Sequence, residues 1–141
     1  MANFFFDAYK NMLLGSGTRV DLDADTIKAM FIDHADDTPV VGDDFIDDIL
    51  SASRVPAIAS CPALGTKTVG VVGVGVFDAV DTVFTTLSGD QSESLILLKD
   101  TGSEATSDVI CRWDTATGLP LTPNGANVTV VWAAGGIITI T

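Results

Sequence analysis

The chain opens with apolar residues at helical spacing. Phe5, Ala8, Met12 and Leu13 fall on one stripe with Phe4 beside it, which predicts a short helix. Asn3 is placed to cap its start and Gly15-Ser16-Gly17 to end it. From Thr18 the period shortens. Residues 19–22 alternate, and residues 26–32 form a stronger strand candidate whose alternation blurs at its end. An acidic, turn-rich stretch follows from His34. In the next block Phe45, Ile46, Ile49 and Leu50 share one helical face, with Asp43, Asp44, Asp47 and Asp48 opposite. That pattern predicts a helix of one or two turns.

The remainder reads as a string of short strand candidates: 55–60, 67–72, 74–77, 82–87, 94–99, 108–113, 127–132 and 137–141. Turn residues separate many of them, including Gly89-Asp90, Asp100-Thr101-Gly102 and Asn124-Gly125. Long amphipathic helices between strands are missing from the pattern, which argues against a parallel βαβ architecture. The expectation is a mainly β fold: an antiparallel β-sandwich or jelly-roll-like barrel, with a short N-terminal helix and one short acidic helix. Its 141 residues suit a single domain, with residues 1–17 as an N-terminal helical arm and 18–141 as the sandwich core.

Composition sharpens this picture. Nineteen Asp and Glu against seven Lys and Arg give a net charge of −12, yet 47% of residues are apolar and only 18% charged. A disordered chain would be poor in apolar residues. A field of this sign repels phosphates, so neither nucleic acid nor an anionic membrane surface is an expected partner. No basic n-region precedes an apolar run near Met1, and the charge-free stretch after Asp114 is interrupted by Pro120, Pro123 and Gly residues. A soluble protein made in the cytoplasm is expected.

Candidate chemistry is sparse. Asp21-x-Asp23-x-Asp25 imitates the start of a calcium loop, but Thr26 and Ile32 stand where Gly and Glu belong. A looser cation site on the Asp-rich segment, or a small enzyme built there, is the alternative to a solvated acidic face. His34, the one histidine, sits among Asp residues and reads as an exposed loop residue rather than a general base. Gly73-x-Gly75 meets Asp78 where a dinucleotide loop needs its third Gly. Gly-x-Ser-x-Gly is not found. Cys61 and Cys111 lack metal or redox spacing and read as two reduced, partly buried thiols; whether they are bonded stays open. Asn127-Val128-Thr129 reads as a strand start, and Trp113 and Trp132 as core. No catalytic, cofactor-binding or metal-ligating residue is assigned, and no cofactor is expected. The residues point to a binding or structural protein.

Several segments, taken in order, resemble a known family. They are Asp23-Ala24-Asp25-Thr26-Ile27-Lys28-Ala29-Met30-Phe31, the Asp43 to Asp48 block, Phe77-Asp78-Ala79-Val80-Asp81-Thr82-Val83-Phe84, and Gly89-Asp90-Gln91-Ser92-Glu93-Ser94-Leu95-Ile96 with its continuation to Gly102. Asp114, Gly118, Pro123-Asn124-Gly125 and the closing Trp132 to Ile140 complete the order. The chain resembles small virion structural proteins of tailed bacteriophages, most of all capsid decoration, or cement, proteins. The resemblance implies a non-enzymatic protein on the capsid exterior, synthesised in the host cytoplasm. It would bind the major capsid protein as a homodimer or homotrimer and stabilise contacts between capsid subunits. A tail-associated or head-fibre component is the alternative within the same class. The interface residues expected from chain-end placement and charge clustering are Phe4, Phe5 and Phe6, as apolar anchors, and Asp43, Asp44, Asp47 and Asp48, facing basic residues.

Overall fold

A computed structural model describes residues 3–141. Its centre is a five-stranded antiparallel sheet. In chain order its strands are β1 (Phe4–Phe5), β2 (Ile27–Ile32), β3 (Arg54–Val55), β7 (Ser94–Lys99) and β8 (Val109–Trp113). They lie side by side in the order β1-β8-β7-β2-β3. β4 (Thr68–Val69), β5 (Val76–Asp78) and β10 (Ile138–Thr139) form a second sheet, in the order β10-β5-β4. β6 (Thr82–Phe84) and β9 (Val128–Val130) form a third. The α-helix α1 spans Asp7–Leu13, and four single turns of 3-10 helix lie in the connections.

The expected sandwich or jelly-roll-like barrel is therefore corrected. The fold is a mixed one, with three separate open sheets. Strands of two or three residues form most of its edges, and such strands make too few ladder bonds to carry one sheet into the next.

β2 and β7 hold the centre because both of their faces are buried. Ile27 pairs with Lys99 and the register runs unbroken to Ile32 opposite Ser94. One face carries Ile27, Ala29, Phe31, Leu95, Leu97 and Cys111, and it is covered by Phe77 and Ile138 of the second sheet and Phe84 of the third. The other face carries Met30, Ile32, Ile96, Leu98 and Val109, covered by Phe6, Ile46, Ile49 and Cys61. Near-continuous apolar runs are the signature of strands buried on both sides, which explains why alternation blurs at the end of β2. The register skips Ile110 between the Leu97–Cys111 and Leu98–Val109 pairs, and this bulge leaves the successive residues Ile110 and Cys111 in the same core.

Other elements depart from the sequence reading. Phe4 and Phe5 extend into β1 opposite Arg112 and Cys111, so the helix begins only at Asp7. Asn3 does not cap it. Its Oδ1 accepts hydrogen bonds from the backbone N–H groups of Asp114 and Thr115, at 3.0 and 3.3 Å. Phe6 and Tyr9 lie in the core, so the N-terminal segment packs against the sheet. The acidic helix shrinks to one 3-10 turn, Ile46–Asp48. The Asp48 carboxylate ties it down by accepting from the N–H groups of Asp44 and Phe45. Residues 19–22 form no strand.

Candidate functional site

Phe4, Phe5 and Phe6 are divided between the faces of the sheet. Phe6 is fully buried, and its ring meets Phe4 edge-on with centroids 5.1 Å apart. Phe5 packs on Tyr9 at 5.7 Å. Phe4 also carries the Arg112 guanidinium 5.3 Å from its ring centroid. Pattern reading recognised three apolar side chains but could not show that strand pairing with β8 already uses them. Asp44, Asp47 and Asp48 are exposed and Asp43 is half-buried, so the acidic block does present a face. Asp43 and Asp48 are partly engaged in holding the loop: Asp43 Oδ2 accepts from Val40 N–H at 2.8 Å. Burial raises the Asp43 carboxyl above its ordinary value, reinforced by Asp48, Asp37 and Asp44 and opposed by the Val40 bond.

A different acidic group comes together in space. Asp33 directly follows β2, Asp36 lies in the next turn and Asp90 in the loop before β7, and their carboxylate oxygens lie within 4.8 Å of one another. Asp33 is buried while the other two are exposed. Asp33 Oδ1 accepts Ala35 N–H at 2.7 Å. Three carboxylates at this distance suit a hard cation with oxygen ligands. Asp90 was beyond the reach of local pattern reading, because β2–β7 pairing alone brings it to Asp33. Asp21, Asp23 and Asp25 do other work. Asp21 and Asp25 bond the turn between them, and Asp25 pairs with Lys99 at 2.9 Å.

His34 is half-buried rather than freely exposed. Its Nε2 lies 2.8 Å from Ser94 Oγ and 3.4 Å from Arg112 Nη2, and its backbone N–H donates to Glu93 Oε2 at 2.8 Å. Arg112 is buried, donating to Pro39 O at 2.9 Å and pairing with Asp114 at 3.1 Å. Burial, then the Arg112 charge, holds the imidazole below its ordinary value of 6.5, against the pull of Glu93, Asp114 and Asp33. The cluster is a buried polar network centred on Arg112, and Ser94, the hydroxyl beside the histidine, is itself fully buried.

Apolar surface is more prominent. A groove of about 580 Å³ is lined by Trp113, Trp132, Leu119, Leu121 and Val130, among others. The two indoles lie 6.0 Å apart, and Trp132 Nε1 donates to Thr82 Oγ1 at 3.1 Å, so these half-buried rings are floor rather than deep core. Separately, the β4–β5 connection exposes Val71, Val72 and Val74, with Val74 97% accessible. The thiols stay free, and the sheet lies between them, Cys61 in one core and Cys111 in the other. No helix among the described residues is long and apolar enough to cross a membrane.

No protein-family model matches the chain, and no curated protein matches it either.

Proposed function

We propose that the chain is a non-enzymatic structural component of a phage particle, which binds the capsid exterior as a homo-oligomer and bridges major capsid subunits. The family resemblance supplies the particle. The observation that carries the binding role is the exposed, uncharged Val71-Val72-Val74 tip, since patches of this kind mark interfaces on soluble proteins. The exposed Asp44, Asp47 and Asp48 add a face complementary to Lys and Arg. An oligomer touching several subunits would gain avidity from modest contacts. Cosedimentation of purified chain with emptied heads, and separately with tails, tests the proposal. Saturable binding to heads is expected. Binding to tails alone moves the protein to a tail-associated role, and binding to neither overturns a virion role.

A divalent-cation module is the second reading. Its support is a more specific piece of geometry, the meeting of Asp33, Asp36 and Asp90 from two separated segments. A native-state ligand raises the melting temperature by mass action. On this reading calcium or manganese raises it, and Asp90→Asn abolishes the rise. An unchanged melting curve across a cation titration removes this reading and leaves the first untouched.

A further inference from the structure

We infer that Asn124 is a self-modifying site: the Gly125 backbone nitrogen attacks its side-chain amide, and the residue is converted to a mixture of aspartate and isoaspartate. The chain has four asparagines, Asn3, Asn11, Asn124 and Asn127, followed by Phe4, Met12, Gly125 and Val128. A side chain on the following residue crowds the attacking nitrogen, and glycine carries none. Asn124 and Gly125 are both exposed, in the loop that leads into β9. A Cβ on Gly125 would meet nothing within 4 Å, so neighbouring atoms leave the residue open. The other three asparagines are held differently. Asn11 lies within α1, Asn3 Oδ1 accepts from Asp114 and Thr115, and Asn127 Oδ1 accepts the Thr86 N–H at 2.9 Å.

Local hydrogen bonds assist the amide and restrain the nucleophile. Asn124 Oδ1 accepts the Ala126 N–H at 3.1 Å. This turn folds the side chain back over its own backbone, and it places a donor on the oxygen where negative charge develops during attack. Gly125 N–H donates to Leu87 O at 2.7 Å, so its nitrogen gives up a proton only when that bond opens. The nitrogen then bonds to Asn124 Cγ and the Cγ–Nδ2 bond breaks. Water carries the proton from the nitrogen to the departing Nδ2, and ammonia leaves. A cyclic imide remains, and one water molecule opens it. Cleavage of the bond from nitrogen to Cγ gives aspartate; cleavage of the bond to the backbone carbonyl carbon gives isoaspartate. Nothing is oxidised or reduced.

The two products act differently on the fold. An aspartate at position 124 keeps an oxygen for the Ala126 N–H and adds one negative charge. Isoaspartate lengthens the backbone by one methylene between residues 124 and 125. That change falls on a two-bond clamp, because Leu87 N–H also donates to Ala126 O, at 2.9 Å. Leu87 is buried in the core beside Phe84 of β6, and Val128 of β9 pairs with Phe84. The isoaspartyl form therefore shifts both partners of Leu87 out of register and loosens the start of β9, a wall of the tryptophan groove.

Ageing the full chain in warm, mildly alkaline buffer tests the inference. Released ammonia, peptide mass mapping and labelling by an isoaspartyl methyltransferase are the readouts, with Asn124→Gln and Asn124→Asp variants alongside. Native protein should convert at Asn124 ahead of the other three asparagines, with isoaspartate among the products, and Asn124→Gln should remove the early ammonia. In denaturant the same residue should convert about tenfold faster, because one backbone hydrogen bond no longer restrains Gly125. Asn124→Asp should keep the wild-type melting temperature, while the isoaspartyl fraction melts lower. Native protein that keeps its Asn124 amide, or that converts first at another asparagine, overturns the site. Early ammonia release that survives Asn124→Gln overturns it as well. A native rate equal to or above the denatured rate overturns the restraint by Leu87.

Discussion

His34 Nε2 faces a guanidinium nitrogen and a hydroxyl, and both can donate to it. Those partners assign the unprotonated nitrogen to Nε2 and favour the neutral ring. A histidine whose value is lowered on folding contributes stability that is complete above its ordinary 6.5 and lost as pH falls through the lowered value. Melting temperature should therefore fall as pH drops below 6.5, and His34→Gln should flatten that part of the profile. An equal fall in the Gln variant would assign the loss to other groups. Gly136 gives a second test at this scale. It has φ +101°, and a Cβ there would lie 2.2 Å from Val76 Cγ1. Gly136→Ala should destabilise by about 1–3 kcal/mol through overpacking, with backbone strain added, as read by denaturant unfolding. Neither residue's role is visible in the one-dimensional pattern. His34 stands in an Asp-rich run, and its partners Ser94 and Arg112 lie 60 and 78 residues away.

Among the elements, the β2–β7 pair is the best read from sequence. Residues 94–99 match β7 from end to end, and β2 begins one residue after the expected start. Both are six-residue strands built on an apolar run, Ala29 to Ile32 after Lys28 in β2 and Leu95 to Leu98 between Ser94 and Lys99 in β7. One end of this pair is fastened by charge. Lys28 Nζ meets Asp100 at 2.7 Å and Lys99 Nζ meets Asp25 at 2.9 Å, with all four side chains partly sheltered. The bond from Lys28 holds the Asp100 carboxyl below its ordinary value; burial opposes this and Gly102 N–H assists. A carboxylate lowered on folding contributes stability that is present above its ordinary 3.8 and lost as pH falls through the folded value. Asp100→Asn should lower the neutral-pH melting temperature modestly and make acid unfolding less steep. An unaltered acid limb would show that the pair is inert. Shorter elements were less legible. Phe4 and Phe5 fit a helical stripe equally well, and only pairing with Arg112 and Cys111 makes them a strand.

For the whole molecule, the central sheet acts as a wall between two cores. Cys61 lies on one side and Cys111 on the other, so no disulfide joins them. Burial pushes the Cys61 thiol up to about 12 and the Cys111 thiol higher still. Native protein should resist thiol-specific reagents, both cysteines should react in denaturant, and reductant should leave the melting temperature unchanged. Fast labelling of either thiol in native protein would show that its core opens locally. The same wall organises the surface. Acidic loops gather around the ends of the five-stranded sheet, while the uncharged hairpin belongs to a separate sheet. Net charge and apolar content, which seem opposed as averages, therefore occupy different parts of one molecule.

Local order was enough to specify the central strands, the turn residues and the concentration of Asp between residues 21 and 48, because period, turn chemistry and composition act over a few residues. Three open sheets in place of a sandwich, the burial of Phe6, the meeting of Asp90 with Asp33 and the separation of the thiols all depend on which strands pair. Pairing joins residues tens of positions apart through long-range packing, and no local period encodes which distant partner a strand will find.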